Sequence, residues 1–138
     1  DKTSDIPVAK PLQKDVGRAQ DLAMNGYYDD AQRELAKALE DPNLSEENRF
    51  LLVQQQGITY YNQGKYAEAI AAYQAAAKIK ETKSLYESLA DAATAAGNKE
   101  LAIDSYKKAI KLIPSDYPLA EEDKDSYEKK IKALGGQL

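Results

Sequence analysis

Gln56-Gly57-Ile58-Thr59-Tyr60-Tyr61-Asn62-Gln63-Gly64-Lys65-Tyr66-Ala67-Glu68-Ala69-Ile70 is the stretch on which the fold turns. Thirty-three residues on from Gly64 the chain reads Gly97-Asn98-Lys99-Glu100-Leu101-Ala102-Ile103, and thirty-eight residues before it, Gly26-Tyr27-Tyr28-Asp29-Asp30-Ala31. In each copy an alanine stands five residues after the glycine. A recurrence in the mid-thirties is the mark of a helix pair that stacks on copies of itself. It predicts an all-α fold: a right-handed α-solenoid of antiparallel helix pairs, with units at about residues 12–45, 50–82 and 83–116 and a capping helix over 117–138. Arrays of this kind bind other chains and rarely catalyse.

Working outward, apolar residues keep helical spacing. Val16, Ala19, Leu22 and Ala23 fall three or four apart and stop at Asn25-Gly26. Ala31, Leu35, Ala38 and Leu39 form the next stripe, which Asp41-Pro42-Asn43 ends. Ser45 has the character of an N-cap before the central pair. Phe50, Val53, Gly57, Tyr60 and Tyr61 carry its first helix, and Tyr66, Ala69, Ile70, Tyr73, Ala76 and Ala77 its second. A third pair buries Tyr86, Leu89, Ala90 and Ala93, then Leu101, Ala102, Tyr106, Ala109 and Ile110, with Pro114 closing it. Ala120, Tyr127, Ile131 and Leu134 make one face of a final helix that ends at Gly135-Gly136. Residues 1–11, with Pro7 and Pro11, read as a flexible tether.

Composition removes whole classes of chemistry. The 138 residues hold no Cys and no His. Disulfides, thiolate or imidazole metal sites, Cys nucleophiles and His bases are therefore excluded. Net charge is −4, and no segment is basic enough for nucleic acid. No apolar run approaches the length that spans a membrane. Asp41, Asn43, Ser45 and Glu47 imitate the start of a calcium loop, but Glu46 stands at its glycine and Leu52 at its final acid. No metal and no cofactor is expected. Glu121-Glu122-Asp123 read as acids at a helix N-terminus, and Lys107, Lys108 and Lys111 as cations at a helix C-terminus. The chain starts at Asp1 rather than Met, which suggests a boundary or processing, and the tether leans toward an anchored, extracytoplasmic domain.

The units resemble tetratricopeptide repeats, whose pattern is W-x2-L-G-x2-Y, then A-x3-F, then P. The middle unit offers Val53, Gln56, Gly57 and Tyr60, then Ala69 and Tyr73. The third offers Tyr86, Leu89, Ala90 and Thr94, then Ala102, Tyr106 and Pro114. The first offers Asp15, Arg18, Ala19 and Leu22, then Ala31 and Leu35, with Pro42 nearby. Small residues at Ala19, Gly57 and Ala90 let helices approach, and the rings of Tyr60, Tyr73 and Tyr106 fill the space between. Asp15 and Arg18 depart from the apolar pattern, so the first helix is expected to be frayed, shifted or used for another contact. Four extra residues near Asn43 to Asn48 lengthen the turn or the helix after it.

The resemblance implies a concave groove lined by the first helix of each unit. Helix projection gives Gln13, Val16, Gln20 and Met24 from the first unit, Leu51, Gln54, Ile58, Tyr61 and Asn62 from the second, and Glu87 and Asp91 from the third. Amides and Tyr in the middle suit a peptide held by apolar side chains and by amide bonds to its backbone. Co-chaperones of the family grip acidic tails with Lys, Arg and Asn. Here the matching places carry Val16, Gln20, Ile58, Glu87 and Asp91, which disfavour a carboxylate and mildly prefer a basic group. Tyr27, Tyr61 and Tyr117 fall outside the packing pattern and are candidates for the surface. The leading expectation is a scaffold or adaptor that binds a protein or peptide of unknown identity, with self-association left open. The alternative is a secretion-type chaperone holding an exported partner. A hydrolase is remote, since no loop places a carboxylate pair for catalysis.

Overall fold

Each helix pair is made by the turn inside it. Gly64 follows the end of a helix with φ 82°, a left-handed conformation that a side chain would strain. Its N–H donates to the Tyr61 carbonyl (3.0 Å), and the N–H of Lys65 to that of Tyr60 (2.9 Å). This double closure caps the orphan carbonyls and reverses the chain. The same two bonds recur at Gly26, Gly97 and Gly135.

The computed structural model describes residues 6–138, with side chains from Lys14 onward. Among the described residues there are seven α-helices and no strand: α1 (Ile6–Met24), α2 (Tyr28–Leu39), α3 (Glu46–Asn62), α4 (Tyr66–Ile79), α5 (Lys83–Ala95), α6 (Lys99–Lys111) and α7 (Ala120–Ala133). They form two compact units that divide between Lys80 and Glu81. The expected antiparallel pairs are α1–α2, α3–α4 and α5–α6, each the tightest packing of its members. Ser45, Thr82 and Asn98 cap α3, α5 and α6, accepting the N–H groups of Asn48, Leu85 and Leu101.

In the first unit, α1 to α4, Ala19, Ala31, Leu35 and Leu52 form a buried cluster flanked by Val16, Leu22, Ala23, Ala38, Leu39 and Leu44. Each fully buried leucine contributes about 1.5–3 kcal/mol. Helices α3 and α4 meet at Gly57, where a Cβ would lie 2.6 Å from the Tyr73 ring. Ala69 is completely buried on α4. In the second unit α5 buries six side chains, from Leu85 to Ala93, against Ala102, Ser105, Tyr106 and Ala109 of α6. Helix α7 adds Tyr127 and Ile131. A Cβ on Gly136 would lie 2.8 Å from Ile131 and 3.0 Å from Ile103, so the chain after α7 presses onto this core.

Three expectations are refined. Helix α1 starts at Ile6, not Leu12, and residues 1–5 of the expected tether lie outside the described residues. Pro7 falls in the first turn, where a missing N–H has no partner to lose, while Pro11, in the second turn, gives up the bond to the Pro7 carbonyl and crowds it. Arg18 is not a sign of fraying: it reaches Glu34 of α2 at 3.0 Å. The extra residues lengthen both places, since the α2–α3 turn is closed by Asp41 accepting the Asn43 N–H (2.9 Å) and α3 runs for 17 residues.

Candidate functional site

Helix α3 carries the central residues. From Phe50 to Gly64 it has no Asp, Glu, Lys or Arg, in a chain that is 30% charged. Two sides of it are buried, Phe50 and Gly57 on one and Leu52, Gln55 and Thr59 on the other. Thr59 donates its hydroxyl to the Gln55 carbonyl (2.9 Å), and Gln20 of α1 donates its amide to Gln55 Oε1 (3.2 Å). Gln32 of α2 donates to the Gln56 carbonyl at 3.1 Å. Between the two buried sides runs a stripe at helical spacing, Leu51, Gln54, Ile58, Tyr61 and Asn62, while Val53, Gln56 and Tyr60 are half-buried on the far side. Leu51 and Asn62 are exposed, and Gln54, Ile58 and Tyr61 half-buried. Tyr61 is not loose, because its ring meets that of Tyr66 edge-on at 5.4 Å.

Helix α1 lies alongside α3 through the Gln20–Gln55 bond. Gln20 is exposed, and one turn further Met24 is 83% exposed. Val16 is half-buried in the core cluster, and the Gln13 side chain lies outside the described residues. The first unit therefore presents amide, apolar and aromatic groups together, without a charge among the site residues named on α1 and α3. Tyr27, 59% exposed, stands apart from them at the α1–α2 turn.

The second unit treats the equivalent helix differently. Lys83, Glu87 and Asp91 share a face of α5, each four residues from the next. Each already has a partner within the chain. Lys83 meets Asp123 of α7 at 2.7 Å. Glu87 accepts the Tyr127 hydroxyl of α7 (2.9 Å), and Asp91 that of Tyr106 on α6 (2.6 Å). The rings of Tyr106 and Tyr127 stack at 5.9 Å. Lys83 also lies over the rings of Tyr117 and Tyr127, at 5.3 and 5.9 Å.

This network shifts its own titrations. Burial, followed by the hydrogen bond to Glu87 and its charge, pushes the Tyr127 phenol up to about 12, against a smaller opposing effect of Lys83. Tyr106 is raised further, by burial and then Asp91. Lys83 is raised by its bond to Asp123, which outweighs the lowering effect of burial. Reading Glu87 and Asp91 from sequence as a charge pair open to a basic partner thus missed their tyrosine hydroxyls. Gln55 and Thr59 were missed too, because a polar residue on a buried face gives no apolar signal. The uncharged run of α3 was the available sign that this helix differs from the others.

Among the described residues, no group of three or more Asp or Glu is placed to hold a metal ion, and no helix is long and apolar enough to cross a membrane. Residues 55–117 match the family model described as tetratricopeptide repeat. That stretch, a little under half of the chain, is similar to tetratricopeptide repeats. Among curated proteins none matches it in sequence. Solved tetratricopeptide-like structures match along nearly the whole chain. PcrH from Pseudomonas aeruginosa shares 17% identity over 92% of this chain and 93% of its own, with a TM-score of 0.71. PcrH in complex with the chaperone binding region of PopD shares 16% identity over 92% of each chain, TM-score 0.72. A T3SS complex from Aeromonas hydrophila shares 16%, over 91% of this chain and 81% of that one, TM-score 0.71. At this identity the likeness is one of fold.

Proposed function

We propose that this tetratricopeptide repeat chain is a protein-binding module with no chemistry of its own, and that its partner docks on the face of the first unit made by Gln20, Met24, Leu51, Gln54, Ile58, Tyr61 and Asn62. One observation carries the reading: α3 leaves an uncharged stripe partly exposed in an otherwise charged protein. Such a stripe offers a charged ligand no opposite charge in exchange for its lost hydration. It suits a segment of uncharged, partly apolar chain, with Ile58 and Tyr61 as anchors and the amides bonding backbone. Glu87 and Asp91 play no direct part, since their carboxylates serve the chain itself.

A second reading, a chaperone that holds a partner before export, draws support from one fact. The solved structure of PcrH with the chaperone binding region of PopD matches this chain over 92% of both lengths. The two readings differ in what is bound: an adaptor takes a segment displayed by a folded protein, a chaperone one from a protein it keeps unfolded.

The test begins with affinity capture by the intact chain, then titration of the retained partner against Tyr61→Ala. A loss of roughly tenfold or more is expected for a central aromatic anchor. Unchanged affinity, with loss on deleting residues 43–48 instead, would move the site to the α2–α3 turn. Hydrogen exchange on the bound partner then separates adaptor from chaperone.

A further inference from the structure

The polar face of α5 is covered by the chain's own last helix, and the way it is covered has a consequence. Helix α7 buries only Tyr127 and Ile131 completely, whereas α5 buries six side chains. Nine of the fourteen α7 residues are charged and look to water for most of their hydration. Its link to α5 runs through two side-chain bridges, Lys83 to Asp123 and Tyr127 to Glu87. Water replaces such bonds at small net cost, because each exchanges one hydrogen bond for another. The loop that joins α6 to α7 carries Pro114, which keeps α6 from continuing into it, so α7 is a separate helix on its own connection.

We propose that α7 is a releasable lid over the polar face of α5: it detaches as a unit while α5 and α6 stay folded, and its release uncovers the Glu87 carboxylate while Asp91 keeps the Tyr106 hydroxyl. Closed, Tyr127 satisfies Glu87 and stacks on Tyr106, which satisfies Asp91, so the two acids are masked through one stacked pair. Open, Tyr106 loses its stacking partner and Glu87 its donor, and the face becomes acidic and solvated. Elements that open below the global stability are those with few buried apolar contacts, and α7 is that element in the second unit.

Native-state amide hydrogen exchange of the intact chain, followed by NMR across a series of low urea concentrations, tests this. The account expects α7 amides to exchange through an opening with weak urea dependence, at least about tenfold faster than the slowest α5 and α6 amides. Tyr127→Phe keeps the ring and removes only the hydroxyl. It should speed α7 exchange on the order of tenfold and leave the slowest α5 amides unchanged. Ser126→Gly, on the exposed side of α7, should act in the same direction through helix propensity alone, by roughly twofold. A single opening shared by α5, α6 and α7, or an acceleration by either variant that spreads equally to α5, would overturn the lid.

Discussion

Helices α3 and α5 hold the same place in their repeats, yet one offers a surface and the other closes it. In the first unit α1 and α3 are joined by buried apolar side chains and a single amide bond, Gln20 to Gln55, and the outer stripe of α3 is left uncharged and unused. In the second unit the face of α5 carries Lys83, Glu87 and Asp91, and side chains of α6 and α7 take all three. The difference teaches that a repeat scaffold does not decide function by itself. What decides it is whether the chain has already supplied partners for the polar groups it displays.

The comparison can be broken most forcefully at Ile131, which is completely buried where α7 meets its unit. Ile131→Ala should cost about 2–5 kcal/mol of α7 anchoring, since a branched side chain leaves a cavity. Urea unfolding followed by tyrosine fluorescence would record it, with loss confined to the second unit. A change spread over both units would mean that the closed face is not a local property.

Ala69→Leu probes the first unit in the same way. Ala69 has no exposed surface, so the larger side chain should overpack the helix pair and destabilise by roughly 1–3 kcal/mol. An unchanged unfolding midpoint would show that α4 has room to spare, and that the support beneath the α3 stripe is softer than its burial implies.

A smaller effect comes from pH. The Tyr127 phenol sits at about 12 in the folded chain and near 10 when unfolded. A raised folded value means that its stabilisation is whole below pH 10 and falls away as pH rises through 12. Tyr106 adds a loss of the same sign. The second unit should therefore weaken across this window, and Tyr127→Phe should flatten the slope. A slope identical to wild type would remove Tyr127 from the network.

Much of this was legible in the residues. The glycine that turns each pair and the alanine five places later stand out because backbone sterics and close packing admit so few alternatives. Ala69 and Ala102, read as crossing residues, are fully buried. The partners of α5 were not legible, because Glu87 and Tyr127 are forty residues apart and no local rule links a carboxylate to a distant phenol. The start of α1 differs from the reading for the opposite reason: the local rule about proline is relaxed for Pro7 in the first turn, and the helix also runs through Pro11 in the second. The α3 stripe, Leu51 to Asn62, follows from helix projection alone, but the identity of what binds there leaves no mark in a single chain.

The central claim is that binding belongs to the uncharged stripe and not to the acidic face. Its most direct test is selection of a random peptide library, displayed on phage, against the intact chain, with titration of the enriched peptide against Ile58→Asp and against Glu87→Gln with Asp91→Asn. The account predicts uncharged peptides with apolar anchors, bound on the order of a hundredfold more weakly by Ile58→Asp and within about twofold by the doubly neutralised variant. Enrichment of basic peptides that ignore Ile58→Asp and are lost on neutralising Glu87 and Asp91 would contradict it.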